Sequence, residues 1–190
     1  MNQLSISAVI LAGGRGQRMG GADKGLIVWQ KKPLVAHVIA ALEPQVNQII
    51  LSCNRNIEAY SSYGYPVIKD DLSNFQGPLS GVISVLDSSI CTGQLLLLYP
   101  CDSPNPPSNL VEILSRKLID EQLDCAYCND GSRDQYLFSL ISTNCRDSLS
   151  TYLLGNNRSV RGWFKTLKSS SVNFSAYRHQ FLNFNLDKEL

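Results

Sequence analysis

The sequence predicts an α/β protein: a mostly parallel sheet with helices on both faces and a small antiparallel portion. Three observations lead there. Short apolar runs alternate with helical patterns from residue 5 to residue 99. Each run is bounded by turn or cap residues, as buried strands are. Further on, two more runs flank Asp130-Gly131-Ser132-Arg133, and Asp-Gly there favours a hairpin-type turn.

The elements follow in order. Strand one covers 5–12, and its core, Ala8-Val9-Ile10-Leu11-Ala12, is apolar throughout. A helix over 33–42 opens on Pro33, whose missing N–H has no partner in a first turn anyway. Strands at 48–53, 66–69 and 94–99 alternate with helices over 56–63 and 79–88. Residues 101–107 form a proline-rich turn, and Ser108 then caps a helix over 109–121. Strands at 124–129 and 135–142, helices over 145–154 and 159–167, and a last strand at 171–174 complete the chain.

Composition bounds the function. A chain of 190 residues is one domain by size. With 44% hydrophobic and 17% charged residues it suits a compact core, and no apolar run approaches the ~20 residues that span a bilayer. The opening residues lack the charged stretch and cleavage site of a secretion signal and read as strand. A net charge of +1 without a basic face argues against nucleic acid. Six cysteines lie mostly in apolar segments, where they behave as small hydrophobes. Cys125 and Cys128 form a C-x-x-C, but zinc would want a second pair or nearby histidines, and His37 and His179 are distant.

The chemistry concentrates after strand one. Between residues 13 and 25 fall six glycines with Arg15, Arg18 and Lys24. Glycines let the backbone approach an anion and aim N–H groups at it, and the cations supply charge, so this is a phosphate-holding loop. It is not a Walker loop, because Lys24 lies between Asp23 and Gly25. It also fails the dinucleotide fingerprint: Met19 holds the third glycine position, and no acid ends the second strand.

In such sheets ligands bind beyond the carboxyl ends of the strands. Those ends carry the glycine loop, Ser52-Cys53-Asn54-Arg55, Asp70-Asp71 and Pro100-Cys101-Asp102. Asp102, rigidly placed between prolines, suits a hard cation shared with phosphate oxygens; the plain alternative is a turn or helix-capping aspartate. Asp70 and Asp71 are adjacent, so on a strand they point to opposite sides and form no acid–base pair. Gly77-Pro78-Leu79-Ser80-Gly81 opens a helix in a tight turn and offers another close backbone approach.

Together, LAGGRGQRMGGADKGL, NRN, KDD, GPLSG, PCDSP and the closing FLNFN resemble the MobA family of molybdenum cofactor guanylyltransferases. The match spans nearly the whole chain. The resemblance implies a Rossmann-like three-layer α/β/α nucleotidyltransferase fold in one domain. Residues 1–104 would bind GTP and Mg²⁺, and 105–190 molybdopterin. GMP would pass from GTP to Mo-molybdopterin, releasing pyrophosphate. Backbone groups of Leu11, Ala12 and Gly13 would line the guanine pocket beside Lys24, with Gly14, Ser52, Asn54, Asp70 and Gly81 also toward the nucleotide. Arg15 and Arg18 would face the β- and γ-phosphates, Asp102 would hold Mg²⁺, and Asn183 and Asn185 would touch the pterin. The resemblance also implies a cytoplasmic enzyme with no membrane or nucleic-acid partner. Its protein partners would be molybdenum-cofactor biosynthesis proteins and molybdoenzyme apoproteins.

Departures from the family pattern are visible. Ser52 stands where an asparagine can occur, Arg158 is followed by Ser159 rather than a second arginine, and Thr and Pro are missing after Asn185. Two other readings stand beside the first: a CTP- or sugar-phosphate nucleotidyltransferase, or a catalytically silent nucleotide-binding carrier.

Overall fold

Strands that are apolar at every position need a layer on each face, and these have one. The structure, a computed structural model, describes residues 4–12, 23–70 and 77–184. The chain opens with β1 (Ile6–Leu11), a hairpin of β2 (Val28–Trp29) and β3 (Lys32–Pro33), then α1 (Leu34–Leu42). Next come β4 (Gln48–Ser52), α2 (Ile57–Ser61), β5 (Val67–Ile68), α3 (Pro78–Asp87) and β6 (Leu95–Pro100). The later part holds α4 (Leu110–Asp120), β7 (Cys125–Asn129), β8 (Asp134–Ser142), α5 (Arg146–Leu154), α6 (Val160–Phe164) and β9 (Ser169–Asn173). A 3-10 segment, Ser175–Phe181, follows.

Among the described residues seven strands form one sheet, in the order β5-β4-β1-β6-β8-β7-β9. Only β8 runs against its neighbours, β6 and β7. This is the mostly parallel sheet with a small antiparallel portion that the sequence predicts. Side chains alternate between two cores, as the two-residue strand period requires. Ala8 and Ile10 of β1, with Leu95, Leu97 and Tyr99 of β6, face α1 and α4. Val9, Leu96 and Leu98 face α3, α5 and α6. Each fully buried side chain of this kind stabilises by roughly 1.5–3 kcal/mol. The helices meet the sheet through stripes at helical spacing, such as Leu34, Val35, Val38, Ile39 and Leu42 of α1.

Several boundaries differ from expectation. Pro33 precedes α1 instead of occupying its first turn, because it pairs with Val28 across the hairpin. That hairpin has no glycine signal: Gln30 and Lys31 both take positive φ, at 46° and 68°. Ser108 does not cap α4; the helix starts at Leu110 without a side-chain cap, and the Asn109 amide donates to Tyr177 Oη instead. The last strand comes earlier, at 169–173. The C-x-x-C thiols are both buried, but Cys125 belongs to one core and Cys128 to the other. They therefore lie on opposite faces of the sheet, where they cannot share a metal. Among the described residues no helix is long and apolar enough to cross a membrane.

Candidate active site

Leu11 of β1 pairs with Ser52 of β4 on one side and with Pro100 of β6 on the other. The three strands therefore leave the sheet at the same level. The chain moves from β1 outward to β4 and β5, then returns across β1 to β6, so a crevice opens where the strand order reverses. A cleft of about 610 Å³ lies there. It is lined by Leu11, Ala12, Asp23, Lys24 and Asp102 together with Gln135, Tyr136, Phe138, Ser159, Arg161 and Asn183.

Two of the lining residues form an ion pair. Lys24 Nζ lies 2.9 Å from Asp102 Oδ2, and the Asp102 side chain is 13% exposed. The aspartate is held at the end of β6, while Lys24 comes from a 3-10 turn, Lys24–Leu26, following the glycine loop. That turn is anchored from behind. The Tyr60 hydroxyl donates to Asp23 Oδ1 at 2.6 Å and the Asn56 amide donates to Asp23 Oδ2 at 3.0 Å.

Asn183 arrives from the far end of the chain and is tied to the same strand end. The Phe184 N–H donates to the Asp102 carbonyl at 2.7 Å, and the Ser103 hydroxyl reaches Asn183 Oδ1 at 3.3 Å. The Phe184 ring packs edge-on against Trp29 with centroids 6.2 Å apart.

The remaining sequence candidates form a second group. The Asp70 N–H donates to Asn54 Oδ1 at 2.8 Å, and the Ser80 hydroxyl donates to the Asp70 carboxylate. Ser52 is 2% exposed, and a Cβ at Gly81 would come within 2.5 Å of its hydroxyl oxygen. Glycine at 81 thus lets α3 seat on β4. These residues gather at the ends of β4 and β5, whereas Leu11, Ala12, Lys24, Asp102 and Asn183 share the cleft. Gly13, Gly14, Arg15, Arg18 and Asn185 lie outside the described residues.

Sequence reasoning gives no role to Asp23, Asn56, Tyr60, Gln135 or Tyr136. For Asp23 and Tyr60 no signal exists, because their contact joins positions 37 residues apart. For Gln135 and Tyr136, placement on a strand antiparallel to β6 is the clue: β8 begins at the level where β6 ends.

Two thiols flank the site and neither is a nucleophile. Burial, then the charges of Asp102 and Asp23, hold the Cys101 thiol well above its ordinary range. Burial, then Asp23, pushes Cys53 up to about 11. Both stay protonated near neutrality, so covalent thiolate chemistry is not available. The donor set also bears on a metal. Among the described residues no group of three or more His, Cys, Asp or Glu side chains is placed to hold one. A single carboxylate that already holds an ammonium cation fits Mg²⁺, which commonly takes one or two carboxylates and completes its shell with phosphate oxygens and water.

A cation–carboxylate pair at the switch point of a parallel sheet, next to a glycine- and arginine-rich loop, defines a nucleotide-binding α/β protein. Comparison sharpens the class. Residues 8–172 match the MobA-like NTP transferase domain, and the chain belongs to that family. It is 43% identical over 182 residues to the molybdenum cofactor guanylyltransferase of Mannheimia succiniciproducens, covering 96% of this chain and 95% of that protein. The enzyme of the same name from Haemophilus influenzae strain Rd is 39% identical, with 96% and 94% covered. A crystal structure of molybdopterin-guanine dinucleotide biosynthesis protein A from Archaeoglobus fulgidus superposes with a TM-score of 0.76 at 20% identity, over 94% of this chain and 92% of that one. It supports the fold alone.

Proposed function

We infer that this chain transfers GMP from GTP to Mo-molybdopterin, forming the guanine dinucleotide cofactor and releasing pyrophosphate. A terminal phosphate oxygen of the pterin attacks the α-phosphorus. The bond from that phosphorus to the bridging oxygen breaks, and its electron pair leaves with pyrophosphate. No covalent enzyme intermediate is needed; positioning and charge stabilisation supply the rate.

The observation that carries this reading is the Lys24–Asp102 pair, set in a cleft that Asn183 also lines. On this reading Lys24 meets the polyphosphate and Asp102 holds Mg²⁺. When bound, the metal neutralises charge on the phosphates. Leu11, Ala12 and Gly13 take the base through backbone groups. Arg15 and Arg18 steady the departing pyrophosphate, with Gly14 beside them. Ser52, Asn54, Asp70 and Gly81 support the nucleoside side, and Asn183 and Asn185 meet the pterin. Residues 1–104 thus serve GTP and 105–190 the acceptor. The reading places the reaction in the cytoplasm, with product passing to molybdoenzyme apoproteins.

The test is transfer to molybdopterin with GTP and with CTP, for the unaltered chain and for Asp102→Ala. Guanine dinucleotide from GTP alone, lost in the variant, is the expected result. Equal use of CTP, or full activity in Asp102→Ala, would overturn the reading.

A further inference from the structure

We propose that Tyr60 and Asn56 of the α2 region are positioning residues for the reaction: they grip the Asp23 carboxylate and thereby aim Lys24 into the cleft. This rests on the role of Lys24 proposed above and adds residues that touch no substrate.

The grip is specific. Asn56 and Tyr60 are one helical turn apart and meet the two oxygens of one carboxylate, at 3.0 and 2.6 Å. Asn56 stands just before α2 in the left-handed region, with φ 50°, a conformation asparagine tolerates better than most residues. Tyr60 is fully buried, so its hydroxyl needs a partner, and Asp23 supplies one. Burial, then that hydrogen bond, holds the phenol far above its ordinary range, so it remains a donor wherever the protein is folded.

Tyr60 also shapes the next peptide. A Cβ at Gly25 would collide with its hydroxyl oxygen, so residues 23 and 25 both conform to this one side chain. Lys24 lies between them. The Asp23 carbonyl accepts from the Leu26 N–H at 3.1 Å and closes the turn, which leaves the Lys24 side chain directed to Asp102. An ordinary turn anchor would stabilise this segment equally well without a charged side chain on the cleft side. Here the anchored residue and the cleft residue are consecutive, so any slackening of Asp23 moves Lys24. A displacement of about 1 Å in a catalytic group can cost on the order of a hundredfold in rate.

The experiment is a double-mutant cycle with Tyr60→Phe and Lys24→Met, read on kcat/KM for GTP and on the melting temperature. Tyr60→Phe keeps the ring and removes only the hydroxyl. The expected result is about a tenfold loss in the unaltered background and less than about a twofold loss when Lys24 is already Met. Equal losses in both backgrounds would overturn the proposal, since Tyr60 would then act by another route. Asn56→Gly keeps the left-handed backbone, removes the second donor and is expected to lose about threefold, with the same dependence on Lys24.

A second readout does not require activity. Acetylation of Lys24 by a soluble N-hydroxysuccinimide ester, followed by mass spectrometry, is expected to speed up severalfold in Tyr60→Phe as the amine leaves Asp102. Unchanged labelling refutes the grip even if the chain transfers no GMP. Faster labelling in a chain that transfers no GMP refutes the functional reading alone.

Discussion

Lys24 and Asp102 each complete the other's charge, and on the proposed function their separation would precede metal binding. The ammonium lies 2.9 Å from Asp102 Oδ2, the oxygen that a metal held there would compete for. A polyphosphate offers Lys24 a new partner and frees Asp102, so metal and nucleotide should bind together. Replacing Lys24 by Met is therefore expected to tighten Mn²⁺ binding to the nucleotide-free protein by about fivefold, while lowering kcat/KM for GTP on the order of a hundredfold. Titration followed by electron paramagnetic resonance reads the first effect; unchanged Mn²⁺ affinity would show that the pair does not occlude the metal. Asp130 makes a different prediction. Burial alone would raise its carboxyl, but hydrogen bonds from Ser132, Gln135 and the Arg133 N–H prevail and hold it well below the usual carboxylate range. A depressed folded value stabilises above the unfolded value, near 4, and that contribution fades as pH falls below it. Asp130→Ala should thus cost about 2 kcal/mol at pH 7 and clearly less at pH 3, measured by urea denaturation. A gap independent of pH would assign the loss to packing.

At the scale of elements, the apolar strands were readable because both faces are buried, leaving no polar interruption in Ala8–Ala12 or Leu95–Leu98. The β2–β3 hairpin was not readable. Its turn asks for positive φ at two positions, which usually announces itself as Asn-Gly, and here Gln30-Lys31 fills them. Tertiary contacts impose the turn: Trp29 stacks edge-on with His37 of α1, and the histidine ring bonds the Trp29 carbonyl at 2.9 Å. The local sequence therefore works against its own conformation. Replacing Gln30-Lys31 by Asn-Gly is expected to raise stability by about 0.5–1 kcal/mol, seen as a higher melting temperature, with GMP transfer unchanged. Lower stability would mean that the two side chains make contacts worth more than the strain.

Across the whole molecule, the strand ends could be read as a site because alternating elements imply a parallel sheet, and such a sheet collects its strand ends along one edge. Asp102 was expected there as a strand end and Lys24 from the glycine-rich segment after β1, and the two meet in the cleft. Asn183 was legible only through its resemblance to a closing motif, since nothing in its neighbourhood says which part of the fold it meets. The answer is a strap that joins three distant places. Phe184 is 8% exposed, its N–H bonds the Asp102 carbonyl, and its ring leans on Trp29 of the hairpin. The Trp29 ring, the main-chain carbonyl of Asp102 and Phe184 thus hold Asn183 at the cleft. Removing the ring should loosen the strap while leaving the backbone of β6 in place, because β6 is buried between β1 and β8. Phe184→Ala is therefore expected to raise KM for the pterin substrate about tenfold and KM for GTP less than about twofold. Equal rises in both constants would show that Asn183 does not serve the pterin substrate alone.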